Sequence, residues 1–142
     1  MIVMGTNDLA TALRIPSTPG RLGLLPSLSA CLLAARARGL DIIDGVYGDL
    51  TDASGFRNAC RQGRTLGFDG KTLIHPEQID VANEVFGVAE ADVERATDII
   101  GAWNAANDQG QGIAVLNGEM IEKLHADEAK RLLALNAAIA GR

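Results

Sequence analysis

Residues 39–47 read GLDIIDGVY, a short apolar run that is framed by glycines and acidic residues. The preceding stretch, SLSACLLAARAR at 27–38, places its apolar residues at helical spacing, and Gly39 follows where such a helix would end. The following stretch, GDLTDAS at 48–54, is a polar loop that leads into another helical pattern. An apolar run of this length between a helix and a turn predicts a short buried strand.

The same arrangement returns further along the chain. Four residues recur in the same order and spacing: Arg36, Gly39, Leu40 and Asp41 are repeated as Arg64, Gly67, Phe68 and Asp69. The segment FDGKTLIH at 68–75 then reads as the next strand, and IVM at 2–4 as an earlier one. Strands that alternate with helices predict α/β structure with a parallel sheet, in either a barrel or a doubly wound fold.

The alternation stops after His75. Four further elements are predicted: a helix at 76–86, a longer helix at 90–106, a hairpin at 113–122 around Asn117-Gly118, and a final helix at about 126–140. The sequence therefore predicts about three βα units over residues 1–86, followed by a C-terminal extension over residues 87–142.

Composition narrows the class of protein. The 142 residues are 47% hydrophobic with a net charge of −5, which suits one ordinary domain or part of a larger one. An acidic balance with no run of Lys or Arg argues against nucleic acid or a membrane surface as partner. Cys31 and Cys60 lie in helical patterns and are expected to be buried free thiols in a reducing cytoplasm, with a disulfide as the weaker alternative.

Aspartates follow the first two predicted strands. Asp8 comes after the first, where α/β enzymes place functional groups, so it is either a metal-binding carboxylate or a helix N-cap. Asp44, Asp49 and Asp52 come at the end of the second, where they line a cation site or serve turn chemistry, and turn chemistry is favoured for Asp52.

The third strand carries a lysine and a histidine. Alternation places Lys71, Leu73 and His75 on one face, so Lys71 and His75 could share a pocket. A histidine before a helix-starting proline is otherwise a polar cap, and the pattern leaves both interpretations open. We expect Asp8, Asp44 or Asp49, and His75 to lie at the same edge of the sheet, because parallel strands end there together.

Four segments carry a family resemblance: GTNDLA, IDGVYGDLTD, LGFDGKTLIHPEQIDVANEVF and GQGIAVLNGEMIEKLHADEA. Together and in this order they resemble the citrate lyase β-subunit-like family of CoA-ester lyases in the HpcH/HpaI aldolase superfamily. Malyl-CoA and citramalyl-CoA lyases are members. The resemblance implies a (β/α)8 TIM barrel of ~250 residues, of which this chain would be the C-terminal part. The preceding strands would then be missing through truncation or a misplaced gene start.

The resemblance also implies a set of site residues. Asp8 would be the second carboxylate of a Mg2+ site that an upstream glutamate completes. Glu122, which is a surface carboxylate by local pattern alone, would be the acid/base group of a hinged lid that reaches a neighbouring subunit of a homo-oligomer. Family lyases carry Asp there and Pro two residues later, where this chain has Glu122 and Leu124. The substrate-binding residues implied are Gly5, Thr6 and Asn7 for the oxo-acid, and Lys71, Ile74, His75 and Pro76 for the CoA.

The implied reaction is a Mg2+-dependent retro-aldol or retro-Claisen cleavage of a 3-hydroxyacyl-CoA such as malyl-CoA, citramalyl-CoA or a citryl thioester. Such a reaction needs no catalytic lysine, so Lys71 would be a phosphate or structural contact. The 142-residue chain alone is expected to be inactive, because it lacks the first metal glutamate and the family's arginine. Two alternatives are a non-catalytic association module that folds only with another copy or the missing half, and an unrelated doubly wound domain for a phosphorylated ligand.

Overall fold

A computed structural model describes residues 1–16 and 18–141 of the chain. The chain forms two compact units, Met1–Phe86 and Gly87–Arg142. The elements described in the first unit are β1 (Ile2–Val3), α1 (Thr6–Ala12), a 3-10 segment (Pro19–Leu24), α2 (Leu25–Arg36), β2 (Ile42–Asp44), α3 (Ala53–Leu66), β3 (Gly70–Lys71), a 3-10 segment (Pro76–Gln78) and α4 (Ile79–Phe86). Among the described residues, no helix has the length and apolar character that crossing a membrane would require.

The strands of the first unit form a parallel sheet in the order β1-β2-β3. Ile2 pairs with Ile42, and Asp44 pairs with Lys71. The predicted α/β structure with a parallel sheet is confirmed. The strands are shorter than the apolar runs, because pairing ends where the chain leaves the sheet to form the connections at its carboxyl edge.

One face of this sheet is covered by helices. Ile42 is fully buried and packs in a core with Leu28, Leu32 and Ala35 of α2, and Ile2 packs against the same core. Side chains alternate along a strand, so Val3 points to the other face, where 55% of it is exposed. The sheet therefore has one packed face and one face whose side chains are partly open.

Helix α3 has a defined start and end. The Asp52 side chain accepts a hydrogen bond from the Gly55 N–H at 2.8 Å, which caps the first turn. Gly67 closes the helix in the left-handed conformation at φ 104°, as the sequence predicts. Phe56 and Cys60 pack from this helix against Ala82 of α4.

Both cysteines are free thiols, as predicted. Cys60 is fully buried, and burial is the main cause that raises the pKa of its thiol. Cys31 is only half-buried, because it lies at the margin of the α2 core rather than within it.

The second unit contains α5 (Glu90–Asp108), a hairpin of β4 (Ala114–Leu116) and β5 (Glu119–Ile121), and α6 (Lys123–Ala140). Asn117 and Gly118 form the turn with φ of 52° and 83°, the left-handed pair that a tight antiparallel hairpin favours. Ile121 packs with Ala106 and Ala114 in the core of this unit.

Candidate active site

The carboxyl ends of the three parallel strands meet at one edge of the first unit. Asp8 follows β1, Asp44 ends β2, and His75 follows β3. The expectation that these residues belong to the same sheet edge agrees with the parallel pairing. This edge is the place where barrels and open α/β sheets bind their ligands.

Asp8 lies in the first turn of α1 and is exposed. The N-cap of this helix is Gly5, so the interpretation of Asp8 as an N-cap is wrong: the helix begins at Thr6, one turn earlier than that role requires. Among the described residues, none makes a hydrogen bond or ion pair with the Asp8 carboxylate. An exposed carboxylate without a protein partner suits a hard cation such as Mg2+.

The start of α1 is fixed against β2 by a close approach at Gly45. A Cβ atom at Gly45 would lie 2.2 Å from Oγ1 of Thr6 and 2.9 Å from the backbone oxygen of Met4. The Thr6 side chain is therefore buried at this junction, whereas Gly5 and Asn7 are exposed. Glycine at position 45 allows the first turn of α1, which carries Asp8, to lie directly on the end of β2.

Asp44 forms the centre of a buried charge cluster. Its Oδ1 accepts hydrogen bonds from Nη1 of Arg21 at 2.7 Å and from the Gly45 N–H at 2.8 Å. Its Oδ2 accepts from Nζ of Lys71 at 2.8 Å, and this ammonium also donates to the Gly45 carbonyl at 2.7 Å. Asp44 is fully buried, and only 1% of the Lys71 side chain is exposed. Burial lowers the pKa of Lys71, and the Asp44 carboxylate opposes that shift.

The three aspartates of the second connection do not form a cation site. Asp44 is neutralised by two cationic side chains, Asp52 caps α3, and Asp49 accepts hydrogen bonds from the backbone N–H and hydroxyl of Thr51. Within residues 1–16 and 18–141, no group of three His, Cys, Asp or Glu side chains is arranged to hold a metal ion. The turn interpretation of Asp52 is confirmed, and it extends to Asp49.

Lys71 and His75 lie in different surroundings. Lys71 forms an ion pair with Asp44 on the sheet face that carries Ile42 and packs against α2. The sequence left a phosphate contact and a structural contact open for Lys71, and the contact observed is the structural one. His75 caps the following 3-10 segment by accepting the Glu77 N–H at Nδ1 over 3.3 Å, and 39% of its side chain is exposed. Ile74 and Pro76 beside it are exposed as well. The shared pocket is not observed among the described residues, because Lys71 is engaged in the interior.

Sequence reasoning missed Arg21 and Gln78. Arg21 has a left-handed backbone with φ 52°, and its Nε donates to Oε1 of Gln62 at 3.0 Å. The preceding Pro19-Gly20 dipeptide marks a turn but does not reveal the buried partner of Arg21. Gln78 is 5% exposed and bonds to two connections of the sheet edge.

Glu122 belongs to the second unit, where it joins β5 to α6 as the helix N-cap and is half-buried. Its backbone N–H donates to Nδ1 of His125 at 3.0 Å. This bond explains why α6 begins at Lys123, earlier than the sequence predicts.

A parallel sheet with helices on one face and polar side chains in the loops of its carboxyl edge is an α/β architecture, and folds of this class bind their ligands at that edge. The chain belongs to the HpcH/HpaI aldolase/citrate lyase family, whose family model matches residues 1–76. The resemblance that the sequence motifs indicate is therefore confirmed.

Individual relatives agree with this membership. The chain is 51% identical over 139 residues to a (3S)-malyl-CoA thioesterase of Cereibacter sphaeroides, covering 98% of this chain and 49% of that protein. It is 38% identical to citrate lyase subunit beta of Haemophilus influenzae, over 93% of this chain and 45% of that protein. A solved structure of protein CitE from Mycobacterium tuberculosis, in complex with magnesium, acetoacetate and coenzyme A, superposes on this chain with a TM-score of 0.75. The sequence identity is 25%, and the superposition covers 95% of this chain and 51% of CitE. The chain spans about half the length of the curated relatives it matches.

Proposed function

We propose that this chain is the C-terminal half of a Mg2+-dependent enzyme that acts on a 3-hydroxyacyl-CoA of the malyl-CoA type. The observation that carries the proposal is Asp8, an exposed carboxylate without a protein partner at the carboxyl edge of a parallel sheet. The 51% identity to a malyl-CoA thioesterase supports the choice of substrate. The proposal is tested on the full-length protein, with the length of its curated relatives.

The sheet is proposed to be part of a (β/α)8 barrel, with residues 1–86 as the barrel part and residues 87–142 as the extension. Parallel sheets are normally covered on both faces, yet Val3 is 55% exposed on the face opposite α2. Further strands of a barrel would cover this face and pair with the outer strands. The same open face supports the alternative that the chain is an association module, in which case a second copy would cover it.

Asp8 would hold the metal together with a carboxylate from outside this chain, because Asp8 alone supplies one ligand. When bound, Mg2+ supplies a positive charge that stabilises the negative charge developing on the substrate oxygen. Gly5 and Asn7 are exposed beside Asp8 and would bind the oxo-acid portion, with Thr6 fixing their backbone. Ile74, His75 and Pro76 would contact the CoA portion.

Glu122 is proposed to transfer the proton, from a lid that closes over the site of the same subunit or of a neighbour in a homo-oligomer. In carbon–carbon cleavage the proton goes to the enolate carbon of the thioester, and in hydrolysis it comes from the attacking water. Either role requires the side chain of Glu122, which forms a capping box with His125 at the start of α6.

Glu122→Gln in the full-length protein is expected to lower kcat about 10²-fold, because the amide keeps the shape and removes the proton-transfer group. The affinity for Mg2+ should stay unchanged, since Asp8 is intact. The matched control is Glu119→Gln on the same hairpin, an exposed carboxylate that pairs with Arg95 and should leave kcat near the wild-type value. A kcat of Glu122→Gln equal to that of the control would contradict the acid/base role.

The reaction products show whether the carbon–carbon bond or the thioester bond of malyl-CoA breaks. Carbon–carbon cleavage of malyl-CoA yields acetyl-CoA and glyoxylate, whereas thioester hydrolysis yields free CoA and malate. We expect CoA and malate, because the 51% identical relative is a thioesterase and because Glu122 and Leu124 replace the Asp and Pro that family lyases carry. Chromatography of the reaction mixture separates the outcomes: acetyl-CoA with glyoxylate would establish the lyase predicted from sequence, and intact malyl-CoA would refute both reactions.

A further inference from the structure

Gln78 connects two loops of the carboxyl edge through one buried amide. Its Oε1 accepts the backbone N–H of Ile74 at 3.0 Å, and its Nε2 donates to the backbone carbonyl of Tyr47 at 3.1 Å. Ile74 belongs to the connection after β3, and Tyr47 to the connection after β2. Gln78 is 5% exposed, and its two hydrogen bonds are partly buried.

The connection after β2 is itself fixed to a helix. The Tyr47 hydroxyl donates to Oδ2 of Asp52 at 2.8 Å, and Oδ1 of Asp52 accepts the N–H of Gly55 in the first turn of α3. Gln78 therefore connects the backbone of Ile74, through Tyr47 and Asp52, to the first turn of α3. Residues 74–76 of the connection after β3 have little packing of their own, since Ile74 is 51% exposed and Pro76 is exposed.

We propose that Gln78 is a positioning residue for the CoA portion of the substrate. It holds Ile74, His75 and Pro76 in the conformation that receives CoA, and it is too buried to touch CoA itself. The inference rests on the proposed function, because that function assigns the contact between CoA and residues 74–76. The hydrogen bonds that join the two connections are independent of that assignment.

The test uses Gln78→Met in the full-length protein, a substitution of similar volume that removes both hydrogen bonds. We expect the Kd for free CoA to rise about tenfold, with the Kd for Mg2+ unchanged. Amide hydrogen exchange should become about tenfold faster in residues 46–52 and 72–76 together and stay the same in α2. The control is Thr72→Val, which removes the bond from the Thr72 hydroxyl to the Asp44 carbonyl at 3.1 Å and should change neither quantity.

The outcomes separate the two proposals. Unchanged exchange in Gln78→Met, or a CoA affinity that falls equally in Thr72→Val, overturns the role of Gln78. A wild-type protein that does not bind CoA overturns the proposed function, and the exchange rates then decide whether Gln78 couples the connections. If Gln78→Met does not fold, Gln78→Glu replaces it: this variant keeps the acceptor for Ile74 and should speed exchange mainly in residues 46–52.

Discussion

Replacing Asp44 with alanine is expected to lower the free energy of unfolding by about 3–5 kcal/mol, because it leaves buried cationic groups without their counter-charge. The Lys71 side chain is 1% exposed, and Nη1 of Arg21 loses its carboxylate at the same time. The Gly45 N–H also loses its acceptor, Oδ1 of Asp44. Urea denaturation followed by circular dichroism measures the change.

The control for Asp44 is Glu84→Gln, which breaks the ion pair between Arg57 and Glu84 on the surface of α3 and α4. Solvent screens this exposed pair, so its loss should not shift the urea midpoint measurably. In a double variant, Lys71→Met should recover part of the stability lost in Asp44→Leu, since the buried ammonium is then removed. A loss below about 1 kcal/mol in Asp44→Ala would contradict a buried cluster in which Asp44 is the counter-charge of Arg21 and Lys71.

The sheet and its helices could be predicted because local signals agreed. The apolar run at 39–47, the left-handed Gly67 and the Asn117-Gly118 turn each specify one backbone conformation, and the structure has all three. The lengths of the strands could not be predicted, since pairing depends on where the neighbouring strand leaves the sheet.

The role of Asp44 could not be predicted from its neighbours. Asp44, Asp49 and Asp52 are the same residue type within one short loop, yet one is buried between two cations and two stabilise turns. The partner Arg21 comes from a distant connection, and no local pattern links it to Asp44. Burial, which decides whether a carboxylate is available to a metal, is a tertiary property.

Lys71 illustrates the limit of strand periodicity. The alternation does not reveal which face of the sheet the helices cover, so the register of Lys71 beside Asp44 and the burial of both side chains came only from the structure. The polar cap that the sequence offered for His75 is observed in the structure. The cap of α6 was visible only in the structure, because it pairs Glu122 with a histidine at the position where capping boxes usually carry glutamate or glutamine.

Asp8→Asn is expected to lower turnover of the full-length protein about 10²-fold at limiting Mg2+, because the amide removes the charge of the proposed metal ligand. Asp8 is exposed and lacks a protein partner among the described residues, so the fold should be as stable as before. The matched control is Asp41→Asn, an exposed aspartate that precedes β2 at the opposite edge of the sheet and should leave turnover unchanged.

The central claim, that Asp8 contributes to a Mg2+ site for CoA-ester chemistry, is tested most directly by titrating Mg2+ into chelator-treated full-length protein while malyl-CoA breakdown is measured. We expect the chelator to abolish breakdown and Mg2+ to restore it saturably. Asp8→Asn should need about 10²-fold more Mg2+ for half of its maximal rate. Breakdown that persists without divalent cations, or an identical Mg2+ requirement in wild type and Asp8→Asn, would contradict it.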